Sequence, residues 1–419
     1  MITKLAWRNL WFKPLNTLLS IILLTSSVAI ITVLILLEKQ FEEKFTKNLD
    51  GIDLVMGAQG SPLQLILSSI YQVDAPTGNI SFDSAKVWMQ NPMVGKAIPL
   101  AFGDNYKGFK ILGTTTDYFN HFDIKLSKGK QFAHNFEVVV GSEIAQKLNL
   151  QLGDEFFGSH GDAEEGEVHD HYAYKVVGIT KPTGKVVDNL ILCNIPSVWQ
   201  MHHQGHENPE HGEEGHIHEV GDEHEHHNAA DLTIDEPSME ITSVLLQMRN
   251  PMAKLTWQRI IPQNTKMQAA SPAIEINRLF TLFGVGIEAL RYLAYGIMLI
   301  SGISIFIALF NTLKERKNEF ALLRVNGAKR RQLLWLVLME SLLLCSIGFI
   351  FGTILGRVAL LLISKSSEAD FKLSFNPYEF IWNKEGWLFV VTLLVGIIAA
   401  LLPAIKAYTL NISKTLANA

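Results

Sequence analysis

LNTLLSIILLTSSVAIITVLILL, Leu15 to Leu37, runs for twenty-three residues without a charge. At about 1.5 Å per helical residue, that length crosses a hydrocarbon core of about 30 Å. Tyr292 to Leu313 is a second such run, and a third extends from Leu333 to Ser364, broken by Glu340 and Arg357. The fourth and shortest is Trp387 to Ile405. The sequence therefore predicts an integral membrane protein with four transmembrane α-helices in a 1 + 3 arrangement. Residues 38–291 stand between the first two as a domain-sized unit. Lys4, Arg8 and Lys13 precede the first run in the manner of a signal peptide. That run exceeds a cleavable apolar region of about 7–15 residues and has no clear small-x-small cleavage site before Glu38, so it reads as a retained anchor.

Basic residues near span ends set the orientation. The connection between the second and third runs carries Lys314, Arg316, Lys317, Arg324, Lys329, Arg330 and Arg331, and the tail adds Lys406 and Lys414. The loop 365–386 instead balances its lysines with Glu368, Asp370, Glu379 and Glu385. The predicted order is thus a cytoplasmic amphipathic helix (1–14), a span (15–37), a periplasmic domain (38–291), a span (292–313) and a cytoplasmic connection (314–332). A span (333–364), a periplasmic loop (365–386), a last span (387–405) and a cytoplasmic tail (406–419) complete it. Trp7, Trp11, Trp335, Trp382 and Trp387 fall near span ends, where amphipathic rings prefer to sit. In the opening helix Leu5, Trp7, Leu10, Trp11 and Phe12 are expected to face lipid. Glu340 and Arg357, as charges within a span, are functional candidates by default; the favoured expectation is that they sit near the interfaces with their charged ends snorkelling to water.

Of the chain's 419 residues 48% are apolar, and a net charge of −5 gives no basic footprint for nucleic acid. The two cysteines, Cys193 and Cys345, fall outside and inside a span, so no intrachain disulfide is expected.

The large domain reads as mixed α+β. Asp53–Met56 looks like a strand closed by Gly57, and stronger strand signals lie at 136–140, 174–178, 189–194 and 237–248. Helical stretches are expected at 142–148 and 252–261, with 38–50 continuing the first span outward as a stalk. Gly57-Ala58-Gln59-Gly60-Ser61-Pro62 reads as a tight turn. No nucleophile elbow, zinc-protease helix or phosphate loop occurs anywhere in the chain, so no catalytic or nucleotide-binding residue is assigned.

Nine of the fourteen histidines lie between 202 and 227. They are His202, His203, His206, His211, His216, His218, His224, His226 and His227, interleaved with acidic residues in a polar loop, 200–236. His160, His169 and His171 sit in a second acidic loop, 158–172. Imidazole with carboxylate suits zinc or another divalent metal, and the irregular spacing suits several weak, exchangeable sites rather than one rigid cage. The alternatives are a solvated loop with no ligand and a pH-responsive one.

The connection after the second span is the most informative stretch. Asn311 to Val325 has helical composition running out of the membrane for two or three turns, and Asn326-Gly327 supplies a left-handed stop. Lys329-Arg330-Arg331 then opens the third span. Phe320, Leu322, Leu323 and Val325 give this elbow more apolar surface than a simple loop needs, which suits docking into a groove on a soluble partner. The stretch resembles the coupling region of FtsX/MacB-type (LolC/E-like) ABC transporter permeases, where a glutamate-arginine helix ends in Leu-Arg-x-x-Gly-Ala. Leu323-Arg324-Val325-Asn326-Gly327-Ala328 matches that motif, and Glu315, Arg316 and Glu319 stand at the expected places. Val138–Gly141, Leu148–Asp154 and Val176–Ile179 through Asp188 likewise resemble the MacB-type outer core. The histidine-rich insertions depart from the family pattern.

The resemblance implies a permease subunit whose ATPase is a separate cytoplasmic chain gripping Glu315, Arg316, Glu319, Phe320, Leu323, Arg324, Gly327 and Ala328. It also implies a homodimer or paired permease, with the second span and its elbow moving as one lever. No tightly bound cofactor is expected beyond zinc or a similar metal at the histidine loop. A periplasmic adaptor or metal-binding protein and the surrounding lipid are the further partners considered. Export or extraction of an envelope substrate is the leading function. A mechanotransmitter acting on a periplasmic partner and a metal-sensing membrane protein are the alternatives.

Overall fold

A computed structural model of the protein describes residues 2–10, 12, 14–159, 172–203, 239–371 and 375–409. Its contacts divide the chain into two units, Met1–Glu42 with Thr281–Ala419 and Glu43–Phe280.

Helix α1 (Ile2–Leu10) opens the chain, and α2 (Pro14–Leu49) begins at Pro14, where a missing N–H costs a helix nothing. At 36 residues α2 outruns its apolar stretch, because Glu38 to Leu49 are good helix formers with no breaker among them.

The second unit starts with β1 (Leu54–Ala58), α3 (Pro62–Ile66) with a π-turn after it, β2 (Ile80–Ser81) and α4 (Phe82–Met89). Gly57 lies inside β1 rather than closing it, and the predicted turn at 57–62 is instead a strand end followed by a helix start. Ser61 caps α3 by accepting from the N–H of Gln64, and Pro62 takes the first helical position. A hairpin follows, β3 (Val94–Tyr106) and β4 (Phe109–Thr114), then α5 (Thr116–Phe122), β5 (Leu126–Gly129), β6 (Glu137–Val140) and α6 (Ser142–Leu148). Next come β7 (Glu155–Phe156), β8 (Tyr174–Thr180), β9 (Ile191–Asn194), α7 (Ile195–His203), β10 (Glu240–Ile241), β11 (Ser243–Met248), α8 (Pro251–Asn264) and β12 (Met267–Ala270).

Ten of these strands form one mixed sheet in the order β12-β1-β11-β3-β4-β9-β6-β8-β5, with β7 added to β8. Strands β6, β9 and β12 are buried almost throughout, whereas β8 alternates and the edge strand β5 is largely exposed. Strands β4 and β9 run parallel, as do β6 and β8, and the latter pair is joined through α6. Buried Asp188 fixes the turn before β9. Its carboxylate accepts from the N–H of Thr183 at 3.0 and 2.9 Å and from that of Gly184 at 2.7 Å. Cys193 is a free thiol on β9, and burial pushes its pKa up.

The first unit is completed by α9 (Pro272–Glu315), α10 (Lys317–Val325), α11 (Arg330–Phe371) and α12 (Trp382–Tyr408). Among the described residues four helices are long and apolar enough to cross a membrane: α2, α9, α11 and α12. Lipid tails are as apolar as leucine, so packing between such helices rests on close backbone approach and polar contacts rather than on the hydrophobic effect. Gly348, Gly352 and Gly356 form a ridge on α11 against α2. A Cβ on them would meet Leu24 Cδ2 at 2.6 Å, Val28 Cβ at 2.6 Å and the Ala29 carbonyl oxygen at 2.9 Å. Ser20 and Ser304 hydroxyls meet at 2.8 Å, Ser27 donates to the Ala294 carbonyl at 3.0 Å, and Ser341 donates to that of Gly396 at 2.7 Å.

The charges within the spans have partners inside the protein. Glu340 is buried and accepts a hydrogen bond from Asn9 of α1. Arg357 pairs with Glu385, its Nη2 lying 2.8 and 2.7 Å from the two carboxylate oxygens. Expected in the outer loop, Glu385 instead sits in the first turn of α12, fully buried. Each charge thus finds an internal partner, which removes the reason to reach for water. At the same ends of α2 and α12, Glu38 holds Arg291 at 2.8 Å and Lys384 at 3.2 Å, and Lys39 holds Glu379 at 2.7 Å.

Candidate functional site

The elbow between α9 and α11 is where the sequence concentrates charge and apolar surface outside the spans. The expected single helix running out of α9 is broken. Arg316 leaves helical geometry at φ −92 and ψ 17, so α9 ends at Glu315 and α10 starts afresh at Lys317. The guanidinium of Arg316 then folds onto α10 and meets Glu319 at 2.6 Å.

The two sides of α10 differ. Phe320 and Ala321 face inward, and Phe320 joins a core with Leu313, Leu333, Leu336 and Val337. Leu322 and Val325 are 53% and 60% exposed on the opposite side. These two exposed apolar side chains lie close to the charged pair Arg316 and Glu319 in sequence. Phe320, expected to offer apolar surface to a partner, instead anchors α10.

Gly327 ends the helix at φ +94, a left-handed value that an L side chain rarely adopts. The N–H of Ala328 returns to the Leu323 carbonyl at 3.0 Å and that of Gly327 to Arg324 at 3.2 Å, closing the carbonyls that a helix end leaves open. Arg324 seals the turn by donating Nη1 to the Ala328 carbonyl at 2.8 Å. The Gln332 side chain accepts from the Lys329 N–H at 2.7 Å and caps α11. The elbow therefore brings together Arg316, Glu319, Phe320, Leu323, Arg324, Gly327 and Ala328, with Glu315 one residue before the break.

The histidine candidates are not gathered in this way. His202 and His203 close the backbone of α7, while His206, His211, His216, His218, His224, His226 and His227 lie outside the described residues. Among the described residues no group of three or more His, Cys, Asp or Glu is placed to hold a metal. His121 of α5, which sequence reading passed over, sits half-buried beside Gly51 at the end of α2. Burial lowers its pKa, as do the nearby Lys96 and Lys185, against a hydrogen bond to the Asp50 backbone.

Residues 292–412 match the model of the FtsX-like permease C-terminal domain, and residues 15–213 match that of the MacB-like periplasmic core domain. The chain belongs to the FtsX/MacB-type ABC permeases. An uncharacterized ABC transporter permease, YvrN of Bacillus subtilis, is 22% identical over 97% of both chains. Another, from Mycobacterium tuberculosis, is 26% identical over 64% of this permease, which spans only 28% of that relative's length. Among solved structures, the periplasmic region of MacB from Actinobacillus actinomycetemcomitans aligns with a TM-score of 0.35 at 10% identity, covering 56% of this chain and 97% of that one. The extracellular domain of the noncanonic ABC-type transporter YknZ from Gram-positive bacteria gives 0.30 at 12% identity, covering 52% and 99%.

Proposed function

We propose that this permease transmits ATP hydrolysis, carried out by a separate cytoplasmic ATPase, to its outer domain for export or extraction of an envelope substrate. The observation that carries the reading is α10: a short helix with one buried anchor, two exposed apolar residues and a glycine-terminated end between two spans. A groove on a soluble partner can seat Leu322 and Val325, while Arg316 and Glu319 supply charged contacts at the rim. The basic residues of α1, the elbow and the tail support a cytoplasmic position for this face, and a paired second permease is the assembly that two ATPase subunits would serve.

A photo-reactive residue at Leu322 tests the assignment. Crosslinking in membranes to a chain bearing a phosphate loop is the expected outcome. A Gly327→Val variant should insert normally yet lose the crosslink, because the turn that presents α10 cannot form without strain. Insertion with no ATPase crosslink in either form would refute the coupling role. In the reconstituted complex, substrate-stimulated ATPase activity separates transport from mechanotransmission.

A second reading adds metal as cargo or signal, favoured by the nine histidines crowded between 202 and 227.

A further inference from the structure

The N-terminal helix does more than anchor the chain. Of the residues expected to face lipid, Leu5, Trp7 and Phe12 are exposed, but Leu10 is buried together with Ala6 and Asn9 against the helices. Ala6 and Leu10 share one core with Phe320, Leu333, Leu336 and Val337, the residues that seat α10 and the start of α11. Two polar contacts tie α1 to the same place. Asn9 Nδ2 donates to Glu340 of α11, and both side chains are buried. Just beyond α1, the Phe12 ring lies 5.3 Å from the Arg316 guanidinium carbon, whose other neighbour is the Phe320 ring at 5.9 Å. Arg316 thus meets one ring from the N-terminal segment, one ring from α10 and the Glu319 carboxylate, with 12% of its side chain exposed. A guanidinium between two aromatic faces is favoured electrostatically and loses its freedom to swing. Arg316 is also the residue at which α9 gives way to α10, so whatever fixes its side chain fixes the angle of the kink. The backbone turns tightly behind this clamp. The Phe12 N–H returns to the Asn9 carbonyl at 3.0 Å, and Thr17 donates its hydroxyl to that of Leu10 at 2.8 Å.

We infer that Asn9 and Phe12 are positioning residues for the coupling helix: α1, locked to α11 through Glu340, holds Arg316 and so sets the pose in which α10 meets its partner. The inference rests on the coupling role of α10 but adds a component to it, a strut outside the span-elbow-span hairpin. The N-terminal segment and the elbow then move together, and freeing one frees the other.

Spin labels test the strut without any ATPase. Pairs of cysteines at Leu5 and Leu322, in the full chain with Cys193 and Cys345 replaced by alanine, report the distance between α1 and α10 in lipid nanodiscs. A single label at Leu402 of α12 serves as the control for general loosening. The expected result for Asn9→Leu and for Phe12→Ala is loss of the narrow distance peak and a more mobile label at Leu322, with the Leu402 label unchanged. Glu340→Gln keeps an acceptor for Asn9 and should keep the narrow peak. An unchanged peak in both variants, or equal loosening at Leu402, would overturn the inference. Crosslinking at Leu322 reads the coupling role separately, so a strut without an ATPase partner and an ATPase partner without a strut give different results.

Discussion

The Arg357–Glu385 pair allows a prediction whose two halves differ in size. Glu385 has no exposed side-chain surface, and its Oε1 also accepts from the Ile381 N–H at 3.2 Å. Arg357 is 21% exposed and reaches the Glu379 and Thr353 carbonyls at 3.3 and 3.5 Å, under the Phe380 ring at 5.5 Å. At this separation an effective dielectric of about 20 gives an attraction of about 6 kcal/mol, most of which offsets the cost of desolvating both groups. Removing one partner of a buried pair leaves the other uncompensated, at about 3–5 kcal/mol. Arg357→Met strands a carboxylate with no water and should fall in that range. Glu385→Gln strands a cation that still has two carbonyls, a ring and some solvent, and should cost roughly half as much. The double variant Arg357→Met, Glu385→Met should lie within about 1–2 kcal/mol of the original protein, because no charge is left buried. Unfolding of the full chain in mixed micelles by a denaturing detergent, followed by helicity, measures the three midpoints. Equal small shifts for the single variants, or a double variant that is simply their sum, would refute the view that this pair is a mutually compensated charge.

Three further perturbations probe other parts of the chain. Gly352→Val should lower the same midpoint by about 1–3 kcal/mol, since its Cβ would meet Val28 Cβ at 2.6 Å, whereas Gly284→Val, with nothing within 4 Å, should not. His121 has a folded-state pKa below its ordinary 6.5, so the unfolded chain binds its proton more readily and stability should fall as pH drops through and below that value. In His121→Gln that part of the slope should vanish, as measured by chemical unfolding between neutral and mildly acidic pH; an identical slope would exclude His121 as its source. Zinc titration of the whole chain by calorimetry should show saturable binding tighter than millimolar, lost when the nine histidines from His202 to His227 become asparagine. An absent signal in the original chain would remove metal from the account.

The fold class was legible because a membrane span has a signature that few other structures share, a charge-free run of the right length. The polar extensions of α2 and α9 have no such signature, although the helix-forming composition of 38–50 marked the first of them. Strand β3, the longest in the sheet, was missed for a different reason. Gly95, Pro99 and Gly103 read as breakers, yet Pro99 sits opposite Val244 within the ladder, and a register shift between Phe102 and Asn105 absorbs the irregularity after it. At the elbow, the left-handed stop at Gly327 could be read from Asn-Gly alone. The break at Arg316 could not, because the contact its side chain makes there with Phe12, distant in sequence, forms only in the fold. The Gly348, Gly352, Gly356 spacing was a readable signal for close helix packing that went unused, and Glu385 looked like a loop charge because nothing local announces its partner.

These particulars define what holds the membrane unit together. Its spans cannot be held by hydrophobic burial, so their mutual order comes from the glycine ridge between α2 and α11, the serine contacts from α2 to α9 and from α11 to α12, and the ion pairs near Arg357 and Glu38. Such contacts are short-ranged and specific to one register. They make each helix stiff against sliding. The elbow is fastened differently, by one buried ring and one guanidinium between two faces. These fastenings tie α10 to the N-terminal segment and to the start of α11. On the proposed coupling role, a push on the exposed side of α10 would reach α9 and α11 through these fastenings, as a hinge-type transition.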